Sequence, residues 1–187
     1  IIGLLRQGPR NVSTIINEVL ITHTGTVQDK EFVELLGQPY GSLAGLTLLA
    51  VEGDGTTSRG KVDLAVKLDD CGGGTPCALD GNGYFVAGGN GISPNLLIPY
   101  GTYLFEDGTQ TIVLVRDCTV VYGNDVDVDN DGVAEVNVGT VEDAVGVVDT
   151  GYPATDAVYF SAPAFGPDGT LVAAGARILE CACGPCI

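Results

Sequence analysis

Methionine and tryptophan are absent from this chain of 187 residues, and histidine occurs once, as His23. Without Met, Ile1 cannot be a translational start, so the sequence is expected to be either a processed, mature form or a trimmed piece of a longer chain, with removal of a signal peptide the better fit. The lone imidazole lies between Thr22 and Thr24 with no nucleophile pattern beside it, and reads as a surface residue at a strand end. A Gly-x-Ser-x-Gly elbow and a phosphate-binding loop are also missing. Pairs such as Asp69 with Asp70 and Glu31 with Glu34 are expected by chance in so acidic a chain. The expectation is a protein that is not an enzyme.

Cations are scarce. Eight Lys and Arg stand against 24 Asp and Glu, a formal net charge of −16 that would repel the phosphates of nucleic acid and of anionic lipid. No apolar run approaches the ~20 residues of a membrane-spanning helix, so neither nucleic-acid binding nor membrane insertion is expected. Uncompensated charge of this size opposes compaction, and divalent cations relieve it where carboxylates cluster.

Apolar residues are plentiful at 45%, with only 17% charged, enough for one well-packed domain rather than a disordered chain. Short β-branched runs separated by Gly, Asp and Asn, with no long helical periodicity, predict an all-β fold. Over 61–69, Val62, Leu64, Val66 and Leu68 alternate with polar or small residues and predict one apolar row. Continuous runs at 19–21, 46–51, 112–115 and 144–148 predict strands buried more completely. Asp54-Gly55, Asp80-Gly81, Asp107-Gly108 and Asp168-Gly169 are turn pairs, the last two flanking segments that can return as hairpins. This spacing suits a β-sandwich.

Six cysteines, at 71, 77, 118, 181, 183 and 186, form an even set that reads as up to three disulfides in an exported protein. Cys71 and Cys77 can close a small ring within the Gly-rich stretch 71–91. The alternative is a thiolate metal site at Cys181, Cys183 and Cys186, although the only His is distant in sequence. Asn11-Val12-Ser13 is a glycosylation acceptor sequence at Asn11.

The sharpest motif is Asp127-Val128-Asp129-Asn130-Asp131-Gly132, the D-x-D-x-D-G opening of a calcium loop. Carboxylates at positions 1, 3 and 5, a Gly for the bend at 6 and a carbonyl at 7 (Val133) supply oxygens, and Glu135 falls at 9. Position 12 is Val138, so another acid must close the shell: Glu135 itself, or Glu142 and Asp143, with Asp125 also near. The competing reading is a solvated acidic hairpin tip, in which alternate Asp residues repel each other. Ca²⁺ is the expected cofactor. Asp80 and Asn82 offer a weaker oxygen-rich site but read first as a turn.

The chain divides into an N-terminal arm (1–14), a sandwich (15–176) and a Cys-rich tail (177–187). The arm, with Ile1, Ile2, Leu4 and Leu5 followed by Arg6 and Arg10, either covers its own domain or adds as a donor strand to a neighbouring copy.

The ordered segments Ile16-Asn17-Glu18-Val19-Leu20, Glu31-Phe32-Val33-Glu34-Leu35 and Ser42-Leu43-Ala44-Gly45-Leu46-Thr47-Leu48 resemble the lamin-tail-like domain of prokaryotic extracellular proteins. Gly83 to Gly88, Gly108 to Val115 and Asp143 to Asp149 resemble the same family's later strands, so the likeness spans about residues 15 to 160. It implies an immunoglobulin-like β-sandwich with loop insertions, serving as an accessory or structural module without activity of its own, with Glu18, Glu31 and Glu34 as scaffold positions. The arm, the Cys71–Cys77 ring and the Cys-rich end depart from that pattern. The expectation is an extracellular, calcium-stabilised structural or adhesive protein, a filament subunit partnered by its own copies. The alternative is a targeting module of a larger secreted hydrolase or nuclease that binds a surface or polysaccharide.

Overall fold

A computed structural model describes residues 13–21, 28–55, 57–99, 104–105, 108–149 and 155–166. Most of the N-terminal arm with Asn11, His23, Asp107, the Asp168-Gly169 pair and the tail with Cys181, Cys183 and Cys186 lie outside them. The described residues form nine strands: β1 (Ile15–Leu20), β2 (Phe32–Leu36), β3 (Leu46–Glu52), β4 (Val62–Lys67), β5 (Tyr84–Gly88), β6 (Leu96–Leu97), β7 (Gln110–Arg116), β8 (Thr140–Val147) and β9 (Ala164–Phe165). They make a sandwich of two mixed sheets, ordered β1-β2-β5-β6 and β4-β3-β7-β8-β9. Among the described residues no helix is long and apolar enough to cross a membrane.

The first core lies between the sheets, where Val33, Leu35, Phe85 and Ala87 meet Leu46, Leu48, Ala50, Ile112 and Leu114. The opposite face of the larger sheet is buried as well. There Leu49, Val51, Val113 and Val115 are covered by Val120, Val126 and Val138 of the β7–β8 connection and by Ala157 and Tyr159. Burial on both faces explains why β3 is apolar at nearly every position and wholly enclosed. The connection between β7 and β8 therefore acts as a third layer, stitched down by Val126 N–H to Gly60 O and Gly123 N–H to Val62 O, while the segment before β9 is tied by Ala157 N–H to Gly53 O.

Two expectations are corrected by strand pairing. The apolar row of 61–69 is split, because the β3–β4 register shifts at Ala50/Val51 and skips Asp63. Val62 then turns to the outer core while Leu64, Val66 and Leu68 face the inner one. The run 19–21 is only partly covered, with Leu20 39% exposed, because among the described residues β1 is an outer strand with a neighbour on one side. Of the turn pairs, Asp54-Gly55 joins β3 to β4. Gly108 leads into β7, whose neighbours among the described residues are β3 and β8.

Cys71 and Cys77 are joined by a disulfide, and Asp70 caps the ring through the Gly72 and Gly74 amides. Cys118 is half-buried against the Val120 carbonyl and has no disulfide partner among the described residues. Truncating a fully enclosed inter-sheet residue should leave a cavity: Leu114→Ala is expected to cost about 2–5 kcal/mol in urea denaturation, with the fold retained by circular dichroism.

Candidate metal centre

The D-x-D-x-D-G segment lies in the third layer, where local hydrogen bonds shape it into a tight loop. Asp127 O accepts from Asn130 N, Asp127 Oδ1 from Asp131 N (2.9 Å), Asp131 Oδ1 from Val133 N (2.8 Å) and Asp129 Oδ1 from Asp131 N (3.2 Å). Asn130 and Gly132 both take left-handed backbone, at φ 59° and 92°. Asn tolerates that region and Gly enters it freely, so the motif's composition and its bend have one cause.

One oxygen from each of Asp127, Asp129, Asp131 and Glu135 falls within 4.8 Å of the others. Glu135 reaches across the loop to accept the Val128 amide through Oε2 (2.8 Å), and its own amide is anchored on Val126 O. An all-oxygen group of this kind can hold a metal ion, and its chemistry suits a hard cation. The Asn130 Oδ1 atom is buried beside these acids without a hydrogen-bond partner.

The other proposed ligands do not join the group. Glu142 pairs with Arg116, and Asp143 accepts the Ile16 and Ala144 amides. Asp125 Oδ1 accepts the Asp127 amide and shapes the approach to the loop. The Asp80 site is a turn: Asp80 accepts the Tyr84 and Asn82 amides, which hold its carboxyl below the usual range. The remaining acid pairs are also engaged apart from one another. Asp69 accepts the Gly45 amide, buried Glu31 the Phe105 amide, and Glu34 the Asn17 side-chain amide.

Asp127 differs from its loop partners because it is fully buried, whereas Asp129, Asp131 and Glu135 are exposed. Its Oδ2 accepts the Gly132 amide (2.9 Å) and the Tyr159 hydroxyl (2.8 Å), and lies 3.5 Å from Arg59 Nε. Arg59 in turn donates to the Thr155 carbonyl. Gly60 lets the β3–β4 turn approach this residue: a Cβ there would sit 2.5 Å from the Asp127 Cβ. Burial, and next the Asp127 hydrogen bond and charge, push the Tyr159 phenol above its ordinary pKa and keep it a donor. Arg59, Gly60 and Tyr159 carried no signal in the sequence, since none belongs to the motif and each arrives from a remote segment.

The same strap that carries Tyr159 ties down a second group of acids. The Thr109 hydroxyl donates to Asp156 Oδ2 (2.6 Å) and the Thr109 amide to Asp54 Oδ1 (2.8 Å). Burial, with the neighbouring Asp156 charge adding to it, raises the Asp54 carboxyl above its ordinary value. A raised pKa means that the folded chain holds this proton more tightly than the unfolded chain. Its stabilising contribution is therefore present in full below the ordinary carboxylate pKa and lost as pH rises through the raised value. Asp54→Asn should flatten the decline in melting temperature from about pH 4 upward.

Tyr159→Phe removes one donor from a buried carboxylate and is expected to cost about 1–3 kcal/mol in denaturant unfolding. Exchange at the Asp131 and Gly132 amides should quicken in the same variant. The chain matches no family model and no curated protein sequence, so its own side chains are what point to its function.

Proposed function

We propose that the chain is a secreted structural or adhesive β-sandwich whose third layer is fastened by Ca²⁺ and which joins copies of itself through its N-terminal arm. The observation that carries this reading is the convergence of Asp127, Asp129, Asp131 and Glu135 oxygens where the third layer is tied to the core. Ca²⁺ takes six to eight oxygens in flexible geometry, whereas Mg²⁺ keeps much of its water and Zn²⁺ favours nitrogen and sulfur. The Val133 carbonyl and water would complete the set. The bound ion supplies positive charge among carboxylates that otherwise repel each other. Asp127 holds the loop to Arg59 and Tyr159, and Glu135 closes it from the far side.

Further support comes from composition and covalent structure. The Cys71–Cys77 disulfide suits an oxidising compartment, and a net charge of −16 argues against nucleic-acid partners. The resemblance to lamin-tail-like domains points to a non-catalytic module. One observation favours the second reading, a targeting module of a larger secreted hydrolase. An open groove of about 580 Å³ runs beside the metal loop, lined by residues 132–139 and 158–161 with Val141, and mixes apolar with polar side chains.

Melting in millimolar Ca²⁺ against excess EDTA, with Mg²⁺ as control, tests the ion. Saturation at about 1,000-fold over Kd should add about 4 kcal/mol, and Asp129→Ala should abolish most of that gain. Identical melting in both buffers removes Ca²⁺ from the account. Electron microscopy tests assembly: the full chain should form ordered polymers and a chain lacking residues 1–10 should not. Unchanged polymers from the truncated chain would exclude the arm as the link.

A further inference from the structure

Asp143 spans the seam at which the edges of the two sheets approach each other. Its Oδ2 accepts the Ile16 amide of β1 at 2.7 Å, and its Oδ1 accepts the Ala144 amide of β8 at 3.0 Å. Both amides belong to strand edges. Among the described residues β1 is the outermost strand of its sheet, and β8 is paired on its outer side only at Gly146 and Val147, with β9. The Ala144 amide lies on the edge from which Gly146 and Val148 donate to Pro163 and Phe165, following the two-residue alternation of a strand.

An open edge amide is a template for another strand, and proteins block such edges with charges, bulges or covering segments. A carboxylate only accepts, so one side chain satisfies donors on both edges at once. It also places negative charge where an incoming backbone would bring its carbonyls. β1 carries a second device of the same kind, a register shift between Ile16 and Glu18 that breaks the regular ladder.

We propose that Asp143 is an autoinhibitory latch, its carboxylate closing the β1 and β8 edges against strand addition by a second copy of this chain. The choice of partner rests on the assembly reading above, whereas the latch contacts do not. Asp143→Ala removes both acceptors, and Asp143→Asn leaves one.

In the full chain, with folding checked by circular dichroism, Asp143→Ala should speed hydrogen exchange at Ile16 and Ala144 by about tenfold or more. In the chain lacking residues 1–10, which the assembly reading leaves unpolymerised, the same substitution should raise the mean mass in light scattering at least about twofold over its own parent at equal concentration. Asp143→Asn should unprotect one of the two amides with a smaller rise in mass, and it carries the test alone if the alanine variant does not fold. Unchanged exchange at both amides overturns the latch. Faster exchange with unchanged mass overturns its guarding role. Failure of the assembly reading appears elsewhere, in polymers that survive deletion of residues 1–10 while these amides stay protected.

Discussion

A carboxylate taken wholly out of water survives only if every lone pair meets a donor or a positive charge, and Asp127 is placed under that constraint. Its compensation is drawn from separate parts of the chain: the loop's own Asp131 and Gly132 amides, the Tyr159 hydroxyl and the Arg59 guanidinium. Each donor tethers the segment that bears it. The β3–β4 turn, the β7–β8 connection and the strap before β9 are thereby drawn to one point. The other acids of the loop remain in solvent, so the inner end is held by protein groups and the outer end stays open to a cation.

That knot accounts for the unusual depth of the larger sheet. A two-layer sandwich leaves one face of each sheet to solvent, and its strands then alternate. Here the connection that carries the acidic loop lies over the outer face, and Leu49, Val51, Val113 and Val115 pack beneath it as Leu48 and Leu114 pack between the sheets. Without the tether, an apolar sheet face would be exposed. Charge at the loop and hydrophobic burial beneath it are parts of one arrangement, since the layer that buries the apolar face is the one that crowds its acids.

Much of this was legible from residue order. Continuous apolar runs marked β3 and β7, and the Asp-Gly pair at 54–55 marked their hairpin neighbour's turn. The loop motif located Asp127, Asp129, Asp131 and Glu135, because the spacing of acids within one tight bend is a local property. The pairing of Cys71 with Cys77 was local too, since their separation of 6 residues leaves little freedom to the intervening glycines. Choosing Glu135 over Glu142 and Asp143 was not legible. All three are close in sequence, and only the β7–β8 register decided that Glu142 would meet Arg116 and Asp143 would meet Ile16.

The sequence by itself determined the all-β class, the strand-rich core and the acidic loop, because strand alternation, turn chemistry and metal-ligand spacing act over a few neighbouring residues. Only the tertiary structure decided that Val62 leaves its row at a register shift, that Arg59 and Tyr159 close on Asp127, and that Asp143 bridges two edges. Those outcomes depend on which strand lies beside which, and a shift of one residue in pairing exchanges the faces of every side chain that follows.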